Sequence, residues 1–281
     1  MIIARGVALS VLLGVTGPVL AHSIPGEGVA APLSDLVEVV EAPLPNVGFA
    51  VDTLEVAPRR RWRRWRNRYP GPIPTPAEWE APEGPIRIGL QAGHWRADEA
   101  PRELSGLRGN GAVVAGQPEW QVNLGIARSA ATMLEEMGYT VDVLPAVVPP
   151  GYRAHLFVSI HADASSSSAA SGYRIAAPSR DATGRAQGVV ELLERTYGNA
   201  TGLRHLTSVT RRMRNYYAFN FRRYEHALHP MTIAVIIETG FLSSPTDREV
   251  ILGAPERAAR GIVDAITAYP LTASPAVAPG S

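Results

Sequence analysis

Two histidines and two glutamates stand beside apolar runs of this chain in a repeating arrangement. Leu156 to Ile160 is short, apolar and rich in the branched residues that strands favour, and His161 follows it at once. Ile86 to Leu90 runs into Gln91-Ala-Gly-His94, and Ile233 to Ile237 runs into Glu238-Thr-Gly. In an open α/β sheet, ligand-binding and catalytic groups gather at the carboxyl ends of the strands. A single histidine after a strand is ordinarily a loop residue. Three strand endings that carry His, His and Glu to one edge point instead to a site.

The chemistry open to such a set is that of a metal hydrolase. Two histidines and one carboxylate, with a fourth position left to water, form a recurring zinc arrangement that brings the pKa of water to about 7 and polarises a carbonyl. A second carboxylate outside the ligand set can then carry a proton to the leaving group. Glu119 and Glu238 both qualify. Glu119 opens an amphipathic stretch, where the helix dipole also favours an acid. Glu238 follows five apolar residues, so it either faces the active edge or caps the next turn. Glu99 and Glu103 are further candidate ligands, whereas His226 and His229, next to Pro230, read as loop residues.

The bulk composition narrows the classes. The 281 residues carry a net charge of +1 and are 46% hydrophobic, which suits a globular protein and gives no overall attraction to nucleic acid. Every basic residue is arginine. With no cysteine, disulfides and thiolate metal sites are excluded, so a metal must be held by nitrogen and oxygen. No G-x-S-x-G or phosphate-cradling glycine loop marks a serine hydrolase or nucleotide enzyme.

The elements that must position these residues are legible in order. Residues 1–21 read as a signal peptide, with Arg5 ahead of an uncharged, mostly apolar run and small residues at Val19-Leu-Ala21. Residues 22–83 read as a Pro/Arg-rich linker, mostly extended or disordered. It contains the run from Arg59 to Arg68, where arginines interleave with Trp62 and Trp65, suited to an anionic membrane face or wall polymer. A single catalytic domain is expected over 84–270, with a loose tail at 271–281. Val122, Ile126, Ala130, Met133 and Met137 mark one face of a helix, and Gly138 ends it. Strands are expected at 140–144, 156–160, 172–176 and 233–237, with helices at 187–197 and 255–269. Ser244-Pro-Thr-Asp247 resembles a capped helix start. The stretch 206–229 has no clear period and is expected to lie, partly helical, beside the site. The sum is an α/β fold, a central mostly parallel sheet flanked by helices on both faces.

Read together, Gly93-His94, Glu119-Trp-Gln-Val-Asn-Leu-Gly-Ile-Ala, Ser159-Ile-His161-Ala-Asp-Ala and Ile237-Glu238-Thr-Gly-Phe-Leu-Ser-Ser resemble the zinc-dependent N-acetylmuramoyl-L-alanine amidases of the amidase_3 type. These cell-wall hydrolases cleave the amide between the lactyl group of N-acetylmuramic acid and the L-alanine of the stem peptide. The resemblance covers about 86–269. It implies one Zn2+ held by His94, Glu119 and His161, and Glu238 as the catalytic acid/base. Peptidoglycan is the implied partner and the cell envelope or exterior the implied location. Two departures stand out. Gln91-Ala-Gly-His94-Trp95 replaces a motif usually like D-P-G-H-G-G, and Met213 to Asn220 is richer in aromatics than a typical member. Arg214, Tyr217 and Asn220 are expected to line a substrate groove. The alternatives are a peptidoglycan-binding protein with weak or lost turnover and a zinc peptidase acting within the stem peptide.

Overall fold

The branched apolar runs do form strands, and they sit side by side in a computed structural model that describes residues 72–75 and 77–272. The expected signal peptide, the Arg59–Arg68 run and residues 273–281 of the tail lie outside the described residues. The strands are β1 (Arg87–Ala92), β2 (Val113–Val114), β3 (Gln117–Pro118), β4 (Thr140–Leu144), β5 (Leu156–Asp163), β6 (Arg174–Ala176) and β7 (Ile233–Phe241). Five of them make the central sheet in the order β4-β1-β5-β7-β6. All its pairings are parallel except β6 against β7. The strands β1, β5 and β7 are therefore neighbours. Their near-continuous burial explains runs that do not alternate with polar residues.

Helices lie on both faces, unequally. The α-helices are α1 (Glu119–Glu136), α2 (Ala186–Thr201), α3 (Arg211–Arg214), α4 (Pro245–Ile251) and α5 (Pro255–Ala268). Ile88, Leu90, Val158, Ile160, Val235 and Ile237 point to one face, where they share a core with α1, α2, α4 and α5. Phe157, Ala234 and Ile236 point to the other, where short elements cover them: Leu104 from a 3-10 turn, Met213 of α3, and Tyr217 and Phe219 from a second 3-10 turn. The helix face read at Val122, Ile126 and Ala130 is buried, but Met137, at its end, is half exposed because the helix has already closed at Glu136. On the first face α2 and α5 cross closely: a methyl at Gly261 would meet the Tyr197 Cα at 2.7 Å.

Two strands run further than their composition suggests. β5 continues through His161 to Asp163, and β7 through Glu238 to Phe241. They pair with each other over this extension, and β6 adds Arg174 opposite Glu238 on the far side. So both residues project from paired strand instead of from the loops beyond it.

The end of β7 is tied down by Asp247, in the first turn of α4. The Ser244 side chain caps that helix from the Asp247 N–H, as its sequence suggests, with Pro245 in the first turn. The fully buried Asp247 carboxylate accepts from the Phe241 N–H at 2.8 Å, the Gly172 N–H at 2.9 Å and the Ser171 hydroxyl at 2.5 Å. At the opposite end of the strands, Trp79 stacks on His229 with ring centroids 4.7 Å apart, and the Arg153 guanidinium lies over the same indole. Burial, then the Arg153 charge, push the His229 imidazole down to about 4. Its Nδ1 accepts from the Met231 N–H, which requires the unprotonated ring nitrogen.

Replacing Asp247 by Ala strands two buried N–H groups, and the expected loss is about 3 kcal/mol, read as a lower urea midpoint at unchanged slope. His229 titrates lower in the folded chain than in the unfolded one. Its contribution is therefore present above about pH 6.5 and fades toward pH 4, by on the order of 1 kcal/mol for a partly exposed ring. Urea melts across that range, compared with His229→Gln, should show the wild type losing more stability than the variant.

Candidate metal centre

The site begins with a backbone that has no room for a side chain. Gly93, just after β1, donates its N–H to the Ile160 carbonyl, and a Cβ there would collide with the His161 ring. The next residue, His94, takes φ 62°, a left-handed conformation unusual for a side-chain-bearing residue and often found at functional sites. This turn brings its ring edge-on to that of His161, with centroids 4.9 Å apart. Gly111, at φ 120°, leaves space on the other side of His94.

Glu119 comes from a different direction, the first residue of α1. The helix start is set by a reciprocal clasp: the Glu119 N–H donates to the Ala112 carbonyl at 2.8 Å, and the Ala112 N–H donates to Glu119 Oε2 at 3.0 Å. The small hairpin β2–β3 fills the chain between them. Glu119 Oε1 accepts from the Ala162 N–H and from Asn123 Nδ2, both at 3.2 Å, and lies 3.1 Å from His161 Nδ1. Oε2 is 3.5 Å from His94 Nε2. Asn123, one helical turn on, also donates to the Gly93 carbonyl at 3.1 Å, so it joins the glutamate to the histidine turn.

Thus His94, Glu119 and His161 converge, with one ligand atom from each lying within 4.8 Å of the others. Two imidazole nitrogens and a carboxylate oxygen are a donor set that suits zinc. The electrostatics agree with a cation site. Burial alone would raise the Glu119 carboxyl. The hydrogen bond and charge of His161, then the charge of His94 and the Ala112 N–H, hold it at about 2. Burial also opposes charge on His161, but the bond and charge of Glu119 outweigh it and hold that ring above its usual value. His94 is depressed, first by burial and then by His161, against the pull of Glu119.

Glu238 stands beside this cluster without joining it. It pairs with His161 in the β5–β7 register and projects to the same face. No side chain among the described residues hydrogen-bonds its carboxylate, in contrast to the saturated Glu119. Burial, with help from the Asp163 and Glu119 charges and against His161 and Arg174, pushes its carboxyl well above the usual range. A carboxyl poised to exchange protons near neutral pH is what a general acid/base requires.

The other candidates are dispersed. Glu99 pairs with Arg96 on the surface, and Glu103 with His226 at 2.8 Å, so neither reaches the cluster. Arg214 is exposed at the end of α3. Tyr217 is buried, with its hydroxyl bonded to the Ala146 carbonyl, the Val148 N–H and Gln91. Asn220 lines a cavity of about 160 Å³ together with Ile73, Arg180, Asp181, Phe219 and Arg222. The aromatic that meets the site is Tyr216, whose hydroxyl lies 3.4 Å from His161 Nε2. The stretch around it carries no period that singles it out. Asn123 was findable, being four residues after Glu119 on the same helix face.

No curated protein matches the chain. Among solved structures, the catalytic domain of CwlV, an N-acetylmuramoyl-L-alanine amidase from Bacillus (Paenibacillus) polymyxa var. colistinus, is 22% identical, covering 65% of this chain and 96% of that one at a TM-score of 0.42. The N-acetylmuramyl-L-alanine amidase Ami1 from Mycobacterium smegmatis is 17% identical, covering 67% and 97% at a TM-score of 0.48. AmiC2 of Nostoc punctiforme, another N-acetylmuramoyl-L-alanine amidase, is 17% identical, covering 66% and 97% at a TM-score of 0.45. Residues 150–268, which carry His161 and Glu238, match the Amidase_3 family model, described as N-acetylmuramoyl-L-alanine amidase, and it is this family that the chain resembles.

Proposed function

We propose that the protein is an exported, zinc-dependent N-acetylmuramoyl-L-alanine amidase that hydrolyses the amide between the lactyl group of N-acetylmuramic acid and the L-alanine of the stem peptide. The observation that carries this reading joins two parts of the chain. The family match supplies His161 and Glu238 but starts at residue 150, and the fold brings His94 and Glu119, from outside it, to the same point. The segment at 1–21 supports export to the cell envelope or beyond, and the Arg59–Arg68 run supports contact with an anionic wall polymer or membrane face.

His94, Glu119 and His161 would hold the zinc, and zinc there supplies Lewis-acid chemistry, polarising an amide carbonyl and acidifying water. Glu119, already engaged by two N–H groups and Asn123, stays ionised and fixed. Glu238, whose carboxylate is uncommitted, takes a proton from the attacking water and delivers it to the alanine nitrogen as the C–N bond breaks. Its burial beside like charges keeps the carboxyl basic enough to accept that proton and acidic enough to release it.

The test is the full chain on purified peptidoglycan, with products identified by mass spectrometry. Stem peptides with a free L-alanine amine should appear, stop with a chelator and return with added zinc. Glu238→Gln should lower the rate by about 10²–10⁴-fold while zinc still binds. Cleavage inside the stem peptide would replace the amidase reading with a peptidase. Wall binding without turnover in the zinc-loaded chain would replace it with a binding protein.

A further inference from the structure

The two departures from the family pattern noted in the sequence touch each other. Gln91, where the usual motif has an aspartate, is fully buried below the site. Its orientation is settled by a carbonyl: Gln91 Nε2 lies 2.9 Å from the Ala146 oxygen, which can only accept, so this end of the amide is the donor. The same NH2 reaches the Tyr217 hydroxyl at 2.9 Å. Gln91 Oε1 must then accept, and it does so from the Ser159 hydroxyl at 2.8 Å and the Tyr216 hydroxyl at 3.0 Å.

This has a consequence at His161. Tyr216 has one hydroxyl proton, and Gln91 takes it. Toward His161 Nε2, 3.4 Å away, the tyrosine oxygen can only accept, so the proton of the neutral imidazole belongs on Nε2. Nδ1 is the nitrogen that faces Glu119 Oε1 at 3.1 Å: without a metal its N–H donates to that carboxylate, and this is the proton that gives way when Nδ1 and Glu119 share a metal. The ring is held in this pose from both sides, by Gly93, which has no room for a methyl, and by Tyr216, whose ring meets it edge-on at 5.4 Å.

Resting on the zinc reading above, we infer that the relay from Ala146 through Gln91 and Tyr216 sets the tautomer of His161, so that Nδ1 ligates the metal and Nε2 carries the proton. Tyr216 and Gln91 are positioning residues for the metal ligand. A hydrogen bond to the second nitrogen of a ligating histidine fixes ring and tautomer, and its loss typically costs 10- to 100-fold in metal affinity. The glutamine does here, through a tyrosine supplied by the aromatic-rich stretch, a job for which a carboxylate is often used.

The test uses the full chain labelled with 15N-histidine, with zinc as the probe. Long-range 1H–15N spectra of the zinc-loaded protein should show His161 with a protonated Nε2 and a metal-bound Nδ1, assigned by comparison with His161→Gln. Tyr216→Phe should weaken zinc about tenfold in a chelator competition while leaving the metal-free melting temperature nearly unchanged, since Ser159 still serves Gln91. Zinc bound through Nε2, or unchanged affinity in Tyr216→Phe, overturns the inference while leaving the amidase reading standing. A wild-type chain that takes up no zinc overturns both. Should Tyr216→Phe fail to fold, the wild-type spectrum alone decides.

Discussion

A buried carboxylate is tolerable only when something holds its charge, and the site is arranged around meeting that demand for Glu119. Its two oxygens are met by N–H groups from residue 112 and residue 162, by an amide one helical turn away and by two imidazoles. These partners come from four pieces of chain. Satisfying one side chain therefore fixes the start of α1, the end of β5, the turn after β1 and the loop before β2–β3 relative to one another. Leaving even one of those donors unpaired in a buried setting costs on the order of 1–3 kcal/mol, so the geometry of the cluster and the stability of its surroundings are coupled.

The same economy separates the two glutamates. One is crowded with donors and held low; the other stands on the neighbouring strand with like charges nearby and no donor among the described side chains. Their difference lies in surroundings alone, since the side chains are chemically identical. It is the environment that suits one to hold a cation and the other to carry a proton.

How much of this the sequence revealed depends on distance along the chain. Strands β1, β5 and β7 and helices α1 and α5 were legible because branched runs and apolar spacing are local signals. Their ends were not: β5 and β7 outrun their apolar cores because each finds a partner strand there, a tertiary fact. His94, Glu119, His161 and Glu238 stand out as residue types at strand and helix ends, and the resemblance to the amidase motifs implies their roles. Gln91 reads only as a departure from the usual motif when taken alone. Its partners Ser159, Tyr216 and Tyr217 lie 68, 125 and 126 residues away, and no local pattern links them to it. Tyr217, expected in the groove, turns inward instead because its hydroxyl closes backbone bonds at Ala146 and Val148. Its neighbour Tyr216 takes the place at the site.

The unequal covering of the sheet bears on how such a protein changes over time. The side packed by α1, α2, α4 and α5 holds most of the large apolar contacts and neither His161 nor Glu238. The opposite side, where His161 and Glu238 project, is roofed by turns of three to six residues and irregular chain. Insertions and replacements in that roof alter what the reactive edge meets while the helical side goes on folding the molecule. Robustness and novelty are thus assigned to opposite sides of one sheet, and a lineage can explore new substrates without first having to rebuild its core.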